Sequence, residues 1–191
     1  DSGVEHHSTD MIYAKMRDEV KNKKSNTFKA KGDFEAYYEK AAKKVDATYE
    51  TPYQSHSCME PLNCIAHVKG NTCEIWGPIQ APDWVRGDIA RLMELKIEDV
   101  TVNMTFLGGG FGRKAFLDYP HEAAVISKAV NAPVQVIWTR EDDMTQGPFR
   151  PGMVYQCKGA VSEWGTIQAF ETRMAGQNMD QQGPGADKSS Y

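Results

Sequence analysis

The sequence predicts an α+β fold in which helices pack on a mixed β-sheet, and two kinds of pattern carry this prediction. Hairpin patterns lie on both sides of the chain's middle, at Ile65–Lys69 with Thr72–Trp76 and at Met153–Val161 with Ile167–Met174. Two helical patterns lie between them, at Ala81–Leu95 and from Pro120 to about Asn131. Hairpins combined with interleaved helices are typical of a mixed sheet that is covered by helices.

Turn residues and apolar periodicity support these central elements. The first hairpin turns at Lys69-Gly70-Asn71 and the second at Glu163-Trp164-Gly165, where glycine and asparagine suit tight turns. The strand Val100–Leu107 lies between the helices and is apolar on both faces, as in a covered sheet. The first helix has five apolar side chains on one side: Trp84, Val85, Ile89, Leu92 and Met93.

The flanking elements follow from the same rules. Asp33–Lys44 has helical spacing, and Val45–Thr51 alternates like a strand before Pro52. Val134–Thr139 reads as a buried strand, followed by one helical turn over Arg140–Met144. Upstream, a helix over Thr9–Lys23 is an alternative, but the high charge there favours a surface linker.

Length and composition restrict the organisation of the chain. Its 191 residues suit one domain at roughly 100–200 residues each. We predict a linker or extended segment over residues 1–32, a partial domain over 33–175 and a polar, Gly-rich tail over 176–191. Because the chain opens on Asp1 and closes on this tail, we expect it to be a piece of a longer protein. It contains no apolar run of the ~20 residues that a membrane helix needs.

The charge balance argues against a nucleic-acid partner. There are 22 basic and 26 acidic residues, a net charge of -4, so the composition carries no strong positive potential. The four cysteines do not indicate a compartment, because a chain of this length folds without disulfides. Bacterial cytoplasm and periplasm both remain open.

The segment Gly108–Lys114, GGGFGRK, is the clearest candidate site. Glycine permits positive φ angles and close approach of a ligand to the backbone, and successive N–H groups can bind an anion. Arg113 and Lys114 would add positive charge, and Phe111 would offer an aromatic face. By this reasoning Gly110, Gly112 and Arg113 are the expected neighbours of a bound phosphate.

Two common phosphate motifs do not fit this segment. A P-loop and a dinucleotide fingerprint that begin at Gly108 would both need glycine at position 113, which is Arg113. No helix is predicted to open directly from the loop, since the next one starts near Pro120. A plain turn therefore stays open as the alternative, because glycine is common in turns.

Other clusters of polar residues favour structural roles. His56, Cys58, Cys64, His67 and Cys73 do not have the spacing of a zinc site, and a strand would direct Cys64 and His67 to opposite faces. We therefore predict no metal ligands in this chain. The acidic run Glu141–Asp143 suits a capped turn. Glu60 could be catalytic by position, but a structural hydrogen-bonding role is favoured.

Four stretches in order resemble the molybdopterin-binding subunit of the xanthine dehydrogenase and aldehyde oxidase family. They are His56–Pro61, Trp76–Gln80, Gly108–Lys114, and Pro133–Val136 with Thr139–Asp142. They match the family's H-x-x-MEP, "TQ"-like, GGGFGGK and RPV…REED patterns over roughly residues 45–160. The resemblance implies that residues 33–175 form a partial molybdopterin-binding domain. Glu60–Ala66, EPLNCIA, and the arginine after the FG pair are most similar to the isoquinoline 1-oxidoreductase beta-subunit branch.

The resemblance implies a role for particular residues. Gln80 matches the side chain that hydrogen-bonds the oxo face of the molybdenum centre, and Phe111 and Gly112 match backbone that lies against the cofactor. The cofactor neighbours expected in this chain are Gln80, Gly109, Gly110, Phe111, Gly112 and Arg113. No catalytic residue is expected, because the family's base, a glutamate, would lie beyond residue 191. In purine-oxidising members a glutamate follows the loop's lysine; Ala115 stands there.

The resemblance also implies the activity, which would be that of a molybdenum hydroxylase. The complete enzyme would oxidise an N-heterocycle of isoquinoline type or an aldehyde, using oxygen derived from water. Its cofactor would be molybdopterin, with a cytosine dinucleotide as one form, and 2Fe-2S clusters would lie on a small partner subunit. We expect this chain alone to be inactive and cofactor-free. Two alternatives are a non-catalytic phosphate- or nucleotide-binding module built on Gly108–Lys114 and a structural partner subunit.

Overall fold

A computed structural model describes residues 8–22 and 26–177. Its elements are five helices and seven strands: α1 (Thr9–Asn22), α2 (Phe34–Lys40), β1 (Lys43–Thr51), β2 (Asn63–Lys69), β3 (Thr72–Gly77), α3 (Pro82–Met93), β4 (Val100–Met104), α4 (Asp118–Val130), β5 (Val134–Ile137), α5 (Arg140–Thr145), β6 (Met153–Val161) and β7 (Ile167–Gly176). This α+β content, with helices on sheets, confirms the predicted fold class.

The chain divides into two compact units. One comprises Asp1–Gln54 and Pro151–Tyr191, and the other comprises Ser55–Arg150. The predicted segments 1–32, 33–175 and 176–191 stay predictions, and residues 178–191 of the proposed tail lie outside the described residues. Within the described residues, no helix combines the length and apolar character that crossing a membrane requires.

The first unit contains an antiparallel sheet in the order β1-β6-β7. Its helix α1 buries Tyr13, Met16 and Val20, which recur at helical spacing, in a cluster with Val154 of β6. The Tyr13 hydroxyl also donates a hydrogen bond of 2.6 Å to the Thr51 carbonyl. The preference for a surface linker is therefore wrong over α1, since apolar anchors spaced by three and four residues outweigh the high charge.

The second unit contains a four-stranded mixed sheet in the order β4-β3-β2-β5. β2 pairs antiparallel with β3 and β5, and β3 pairs parallel with β4. Alternate residues of β2 (Cys64, Ala66 and Val68) are buried in a core with residues of α3 and α4. The hairpin predicted around Lys69-Gly70-Asn71 is confirmed, and its return strand carries the chain towards Gln80.

Several boundaries and exposures differ from the prediction. β4 ends at Met104, which is 60% exposed, and lies at the edge of its sheet, so the covered strand predicted over Val100–Leu107 is wrong. The helix α2 ends at Lys40, because Lys43 and Lys44 pair with β6 as the first residues of β1. β5 is an edge strand with alternating burial, and Ile137 is 62% exposed, so the buried strand predicted there is wrong. Trp84 is also exposed, because it lies beside the stripe of α3 that packs on the sheet.

Candidate functional site

The glycine loop Gly108–Lys114 follows β4 and ends in a short 3₁₀ turn, Arg113–Ala115, before α4 begins. Its backbone enters the left-handed region three times, at Gly109 (φ +94°), Phe111 (φ +52°) and Gly112 (φ +97°). Glycine adopts such angles at little steric cost, whereas a residue with a side chain adopts them rarely. The loop is therefore a specific backbone shape and more than a simple reversal of the chain.

Glu60 holds the beginning of the loop. Its backbone N–H donates to the Gly108 carbonyl at 3.1 Å, and its Oε2 accepts from the Gly108 N–H at 2.7 Å. The same Oε2 accepts from Lys114 Nζ at 2.5 Å, and Oε1 accepts from Asn63 Nδ2 at 3.3 Å. These contacts give Glu60 the structural hydrogen-bonding role that the sequence favoured.

Gln80 holds the end of the loop. Its side-chain Oε1 accepts from the backbone N–H of Gly112 at 3.0 Å and of Lys114 at 3.2 Å. The backbone N–H of Gln80 donates to the Lys114 carbonyl at 2.9 Å. Because two N–H donors occupy Oε1, the orientation of the amide is set, and its Nε2 is directed away from these donors.

Gly110 is the point where the loop lies closest to Gln80. A Cβ at Gly110 would lie 2.4 Å from Gln80 Oε1 and 2.6 Å from its Cδ, so this position admits no side chain without displacing the amide. The Gly110 carbonyl accepts from the Arg113 N–H at 2.8 Å and from the buried Cys58 Sγ at 3.3 Å. Gly110 is itself buried, and its carbonyl is held inside the loop by these two donors.

The two basic side chains of the loop are buried in ion pairs. Arg113 is 2% exposed and forms a two-pronged pair with Asp118, at 2.9 and 2.6 Å, beneath the ring of Trp138. Lys114 is 0% exposed and pairs with Glu60. The prediction of a net positive charge at the loop is therefore wrong, because the carboxylates of Asp118 and Glu60 neutralise the two cations. Arg113 as a cofactor neighbour stays a prediction.

The loop still offers hydrogen-bond donors that no described residue uses. Among residues 8–22 and 26–177, no acceptor contacts the N–H groups of Gly109, Gly110 and Phe111, or the Nε2 of Gln80. The Phe111 side chain beside them is 71% exposed. Free donors next to an open aromatic ring suit a flat ligand rich in oxygen and nitrogen acceptors, such as a pterin with its phosphate.

The fourth motif stretch, Thr139–Asp142, contacts the segment that precedes Glu60. Arg140, at the start of α5, donates to the carbonyls of Cys58 and Met59 at 2.7 and 2.8 Å and pairs with Asp143. The turn itself carries a capping box between Thr139 and Asp142, which agrees with the capped-turn interpretation. All four stretches that carry the resemblance thus lie in the unit Ser55–Arg150, and each of them forms a hydrogen bond with at least one of the others.

The histidine and cysteine cluster does not converge in the described residues. There, no group of three His, Cys, Asp or Glu side chains has the geometry to hold a metal ion. Cys64 is buried and His67 lies on the other face of β2, as predicted. Burial raises the pKa of the Cys64 thiol to about 12 and that of Cys73 to about 11, so both are protonated, inert core residues.

Some residues of the site are absent from the prediction. Asp118 was not singled out, although an acidic residue at a helix start, five positions after a buried arginine, is a natural partner. A Cβ at Gly112 would lie 3.9 Å from His56 Nε2, and the Nδ1 of His56 is buried without a hydrogen-bond partner among the described residues, as is Arg113 Nε. Only three-dimensional proximity reveals the position of His56 beside the loop, since no local spacing encodes it, whereas the spacing of Asp118 from Arg113 was available in the sequence.

The ionised state of Glu60 gives a testable pH dependence. Burial raises the pKa of its carboxyl, but hydrogen bonds from Lys114, the Gly108 N–H and Asn63 outweigh it, so the pKa lies below its usual value. A lowered pKa means stability that is present above the unfolded-state pKa of about 4.3 and lost as the pH falls through the folded value. We expect Glu60→Gln to reduce the free energy of unfolding at neutral pH.

This loss should shrink when the carboxyl is protonated in both states. Urea unfolding of the wild type and of Glu60→Gln, measured at pH 7 and at about pH 3, checks the expectation. A difference between the two proteins that is as large in acid as at neutrality would contradict it.

Known proteins share this fold and these motifs. Residues 16–183 match the family described as "Molybdopterin cofactor-binding domain". The chain is 37% identical over 140 residues to the molybdenum-binding subunit of an Escherichia coli aldehyde oxidoreductase, covering 73% of this chain and 19% of that subunit. It is 32% identical over 120 residues to the beta subunit of isoquinoline 1-oxidoreductase from Brevundimonas diminuta, covering 62% and 14%. The isoquinoline branch stays a prediction, since the aldehyde-oxidising relative has the higher identity.

Solved structures agree on the fold. Quinoline 2-oxidoreductase from Pseudomonas putida superposes with a TM-score of 0.65 at 23% identity, over 76% of this chain and 19% of that one. Aldehyde oxidoreductase from Desulfovibrio gigas gives 0.67 at 21%, over 75% and 16%. The chain thus spans about a fifth of the length of the relatives it matches. It belongs to the molybdopterin cofactor-binding domain family, together with the molybdenum-binding subunits of aldehyde oxidoreductases and xanthine dehydrogenases.

Proposed function

We propose that this chain forms one wall of the molybdopterin site of a molybdenum hydroxylase, an oxidoreductase that uses oxygen derived from water. The observation that carries the proposal is the arrangement of Gln80 on the glycine loop. Its Oε1 is occupied by two backbone donors, which leaves the Nε2 donors for a ligand. Membership of the cofactor-binding family supplies the identity of that ligand.

The residues of the loop have distinct roles in this proposal. The N–H groups of Gly109 and Gly110 would bind oxygen and nitrogen acceptors of the pterin and its phosphate, and the N–H of Phe111 would extend this row. The exposed Phe111 ring would cover one face of the flat cofactor. Gly112 would let the backbone approach closely, and Arg113 would act chiefly by holding the Gly110 carbonyl through its own N–H.

The bound cofactor would supply the metal centre at which the substrate carbon is oxidised and electrons are received. This chain would bind and orient that group, and Gln80 Nε2 would donate a hydrogen bond towards the metal's oxo ligand. An amide donor suits this place because it adds no net charge. We place the catalytic base, a glutamate, and the 2Fe-2S clusters outside these 191 residues, the clusters on a small partner subunit.

An N-heterocycle of isoquinoline type or an aldehyde is the substrate class that we propose. The names of the relatives include both classes, an aldehyde oxidoreductase and an isoquinoline 1-oxidoreductase. Ala115 stands directly after the loop's lysine, where a carboxylate would suit a polar purine. A cytosine dinucleotide is the proposed form of the cofactor's tail.

The alternative of a phosphate- or nucleotide-binding module loses part of its basis. It depended on Arg113 and Lys114 as free positive charges, and both are buried against carboxylates. The relatives reported above also do not support it. The molybdenum hydroxylase is therefore the function that we propose.

The decisive experiment is metal and pterin analysis of the complete protein that carries this chain, purified with its partner subunits. We expect molybdenum by mass spectrometry and a fluorescent oxidised pterin in equal amounts. A catalytically active, intact complex with neither would end the proposal. Sequence downstream of Tyr191 should also contain the glutamate that serves as base.

Gln80→Glu separates the two functions of the Gln80 side chain. A carboxylate keeps the acceptor for the Gly112 and Lys114 N–H groups but removes the Nε2 donors. We expect thermal stability close to that of the wild type, with turnover lower by on the order of 10- to 100-fold, the cost of a hydrogen bond to a charged or strongly polar group. Gln80→Ala, which removes acceptor and donors together, should lose both stability and turnover. Unchanged turnover in Gln80→Glu would rule out the donor role.

A further inference from the structure

We propose that Glu60 and Lys114 form a brace that holds the glycine loop in its cofactor-binding shape. This inference rests on the proposed function, and it assigns positioning roles to two residues that do not themselves face the ligand. The brace joins the first residue of the loop to the last one through a single carboxylate oxygen, Glu60 Oε2.

The contacts close the loop into a ring. Glu60 Oε2 binds the Gly108 N–H at 2.7 Å, and the Lys114 ammonium returns from the other end of the loop to the same oxygen at 2.5 Å. The chain from Gly108 to Lys114 completes the circle. A ring of this kind restricts the loop far more than either contact alone, because neither end can move without breaking a charged hydrogen bond.

Burial makes the brace rigid. The Lys114 side chain is 0% exposed and that of Glu60 is 31% exposed, so water cannot easily replace the ammonium's partner. A Cβ at Gly108 would lie 2.5 Å from Glu60 Cβ, so the loop and Glu60 are in direct contact. Removing the Glu60 charge would leave the fully buried Lys114 ammonium without its partner, which is unfavourable, whereas the partly exposed Glu60 carboxylate loses less when Lys114 is replaced.

Lys114 also connects the brace to Gln80. Its backbone N–H donates to Gln80 Oε1, and its carbonyl accepts from the Gln80 N–H. The same residue therefore supports the start of the loop through its side chain and the amide of Gln80 through its backbone. Displacement of Lys114 would shift both the row of free N–H groups and the proposed donor, Gln80 Nε2.

The test uses three variants of the complete protein: Glu60→Gln, Lys114→Met and the double variant. Each single variant breaks the pair and should lower both thermal stability and pterin content. The double variant removes both charges together, so its stability should return towards that of the wild type. If the pair only stabilises the fold, the pterin content of the double variant should recover together with its stability. If the pair positions the loop, the pterin content should stay about tenfold below that of the wild type, because Glu60 and Lys114 no longer join the two ends of the loop.

Hydrogen exchange provides a readout that does not depend on the cofactor. In the double variant, the hydrogen-bonded amides of the loop, those of Gly108, Gly112 and Lys114, should exchange on the order of 10- to 100-fold faster than in the wild type, even where global stability is restored. Arg17→Met, which breaks the exposed pair of Arg17 with Glu50 in the other unit, is the matched control and should leave these amides unchanged.

The outcomes distinguish the brace from the proposed function. A wild-type complex without molybdenum and pterin ends the proposed function, and exchange of the loop amides then decides the brace by itself. A loaded wild type together with a fully loaded double variant, or loop amides that exchange at the wild-type rate in it, would overturn the brace.

Discussion

Gly110→Ala is expected to lower the pterin content of the complete protein by at least about tenfold, the effect of a misfit of more than about 1.4 kcal/mol at the site. The new Cβ would lie 2.4 Å from Gln80 Oε1 and 2.6 Å from Gln80 Cδ. The amide would have to move, and the N–H groups of Gly112 and Lys114 would lose their acceptor. Overpacking of this kind typically costs about 1–3 kcal/mol of stability as well.

Gly87→Ala is the matched control for this substitution. Gly87 lies within α3, and a Cβ there would meet nothing within 4 Å. Alanine should therefore stabilise the helix by about 0.5–1 kcal/mol and leave the pterin content unchanged. Pterin fluorescence and thermal melts of both variants check the pair of expectations. A fully loaded Gly110→Ala protein would show that the close approach of Gly110 to Gln80 does not matter for binding.

Asp118→Asn should destabilise the unit Ser55–Arg150 by about 3–5 kcal/mol, since it leaves the Arg113 cation buried without a counter-charge. Both guanidinium contacts with Asp118 are short, at 2.9 and 2.6 Å, and Arg113 is 2% exposed. Gly147 also closes over the pair, because a Cβ there would lie 2.5 Å from Arg113 Nη2. Arg113 itself is therefore enclosed, while the Asp118 side of the pair is 30% exposed.

Chemical unfolding of the 191-residue chain measures this effect. In thermal unfolding, a loss of about 3–5 kcal/mol corresponds to a melting temperature lower by roughly 6–20 °C for a protein of this size. Glu50→Gln breaks the exposed pair with Arg17 and should change stability little, because exposed pairs are screened by water. Recovery of stability in Arg113→Met/Asp118→Asn would identify the unpaired charge as the cause. An Asp118→Asn protein as stable as the wild type would instead mean that Arg113 does not depend on its partner.

The two predictions bear on the same question, which is how a loop with two basic residues binds its ligand. If Arg113 and Lys114 serve the fold, recognition falls to backbone N–H groups and to Gln80 Nε2. These groups are directional and carry no net charge, so they select a ligand by its pattern of acceptors more than by its total charge. The loop would then bind a pterin without attracting every polyanion.

Much of the fold follows from local patterns. The hairpin at Lys69-Gly70-Asn71 could be predicted because the turn residues and the flanking alternation both lie within a few residues of each other. The helices α3 and α4 follow from apolar periodicity in the same way. In contrast, β5 looked buried because its composition is apolar, yet its position at the sheet's edge depends on which strands pair, and that is a property of the whole unit.

In the candidate site, too, some features follow from local sequence motifs and others from tertiary packing. The sequence by itself determined the family and the glycine loop as the candidate site, because the motifs are local and follow one another in order along the chain. The contact of Gln80 with the loop is a finding of the structure. Only the tertiary structure decided what the charged residues do. Glu60 and Lys114 are 54 positions apart in sequence, and their 2.5 Å contact exists because β2, β3 and β4 bring two distant turns to the same place. Burial turns these charges into mutual partners, and burial is set by the packed chain as a whole.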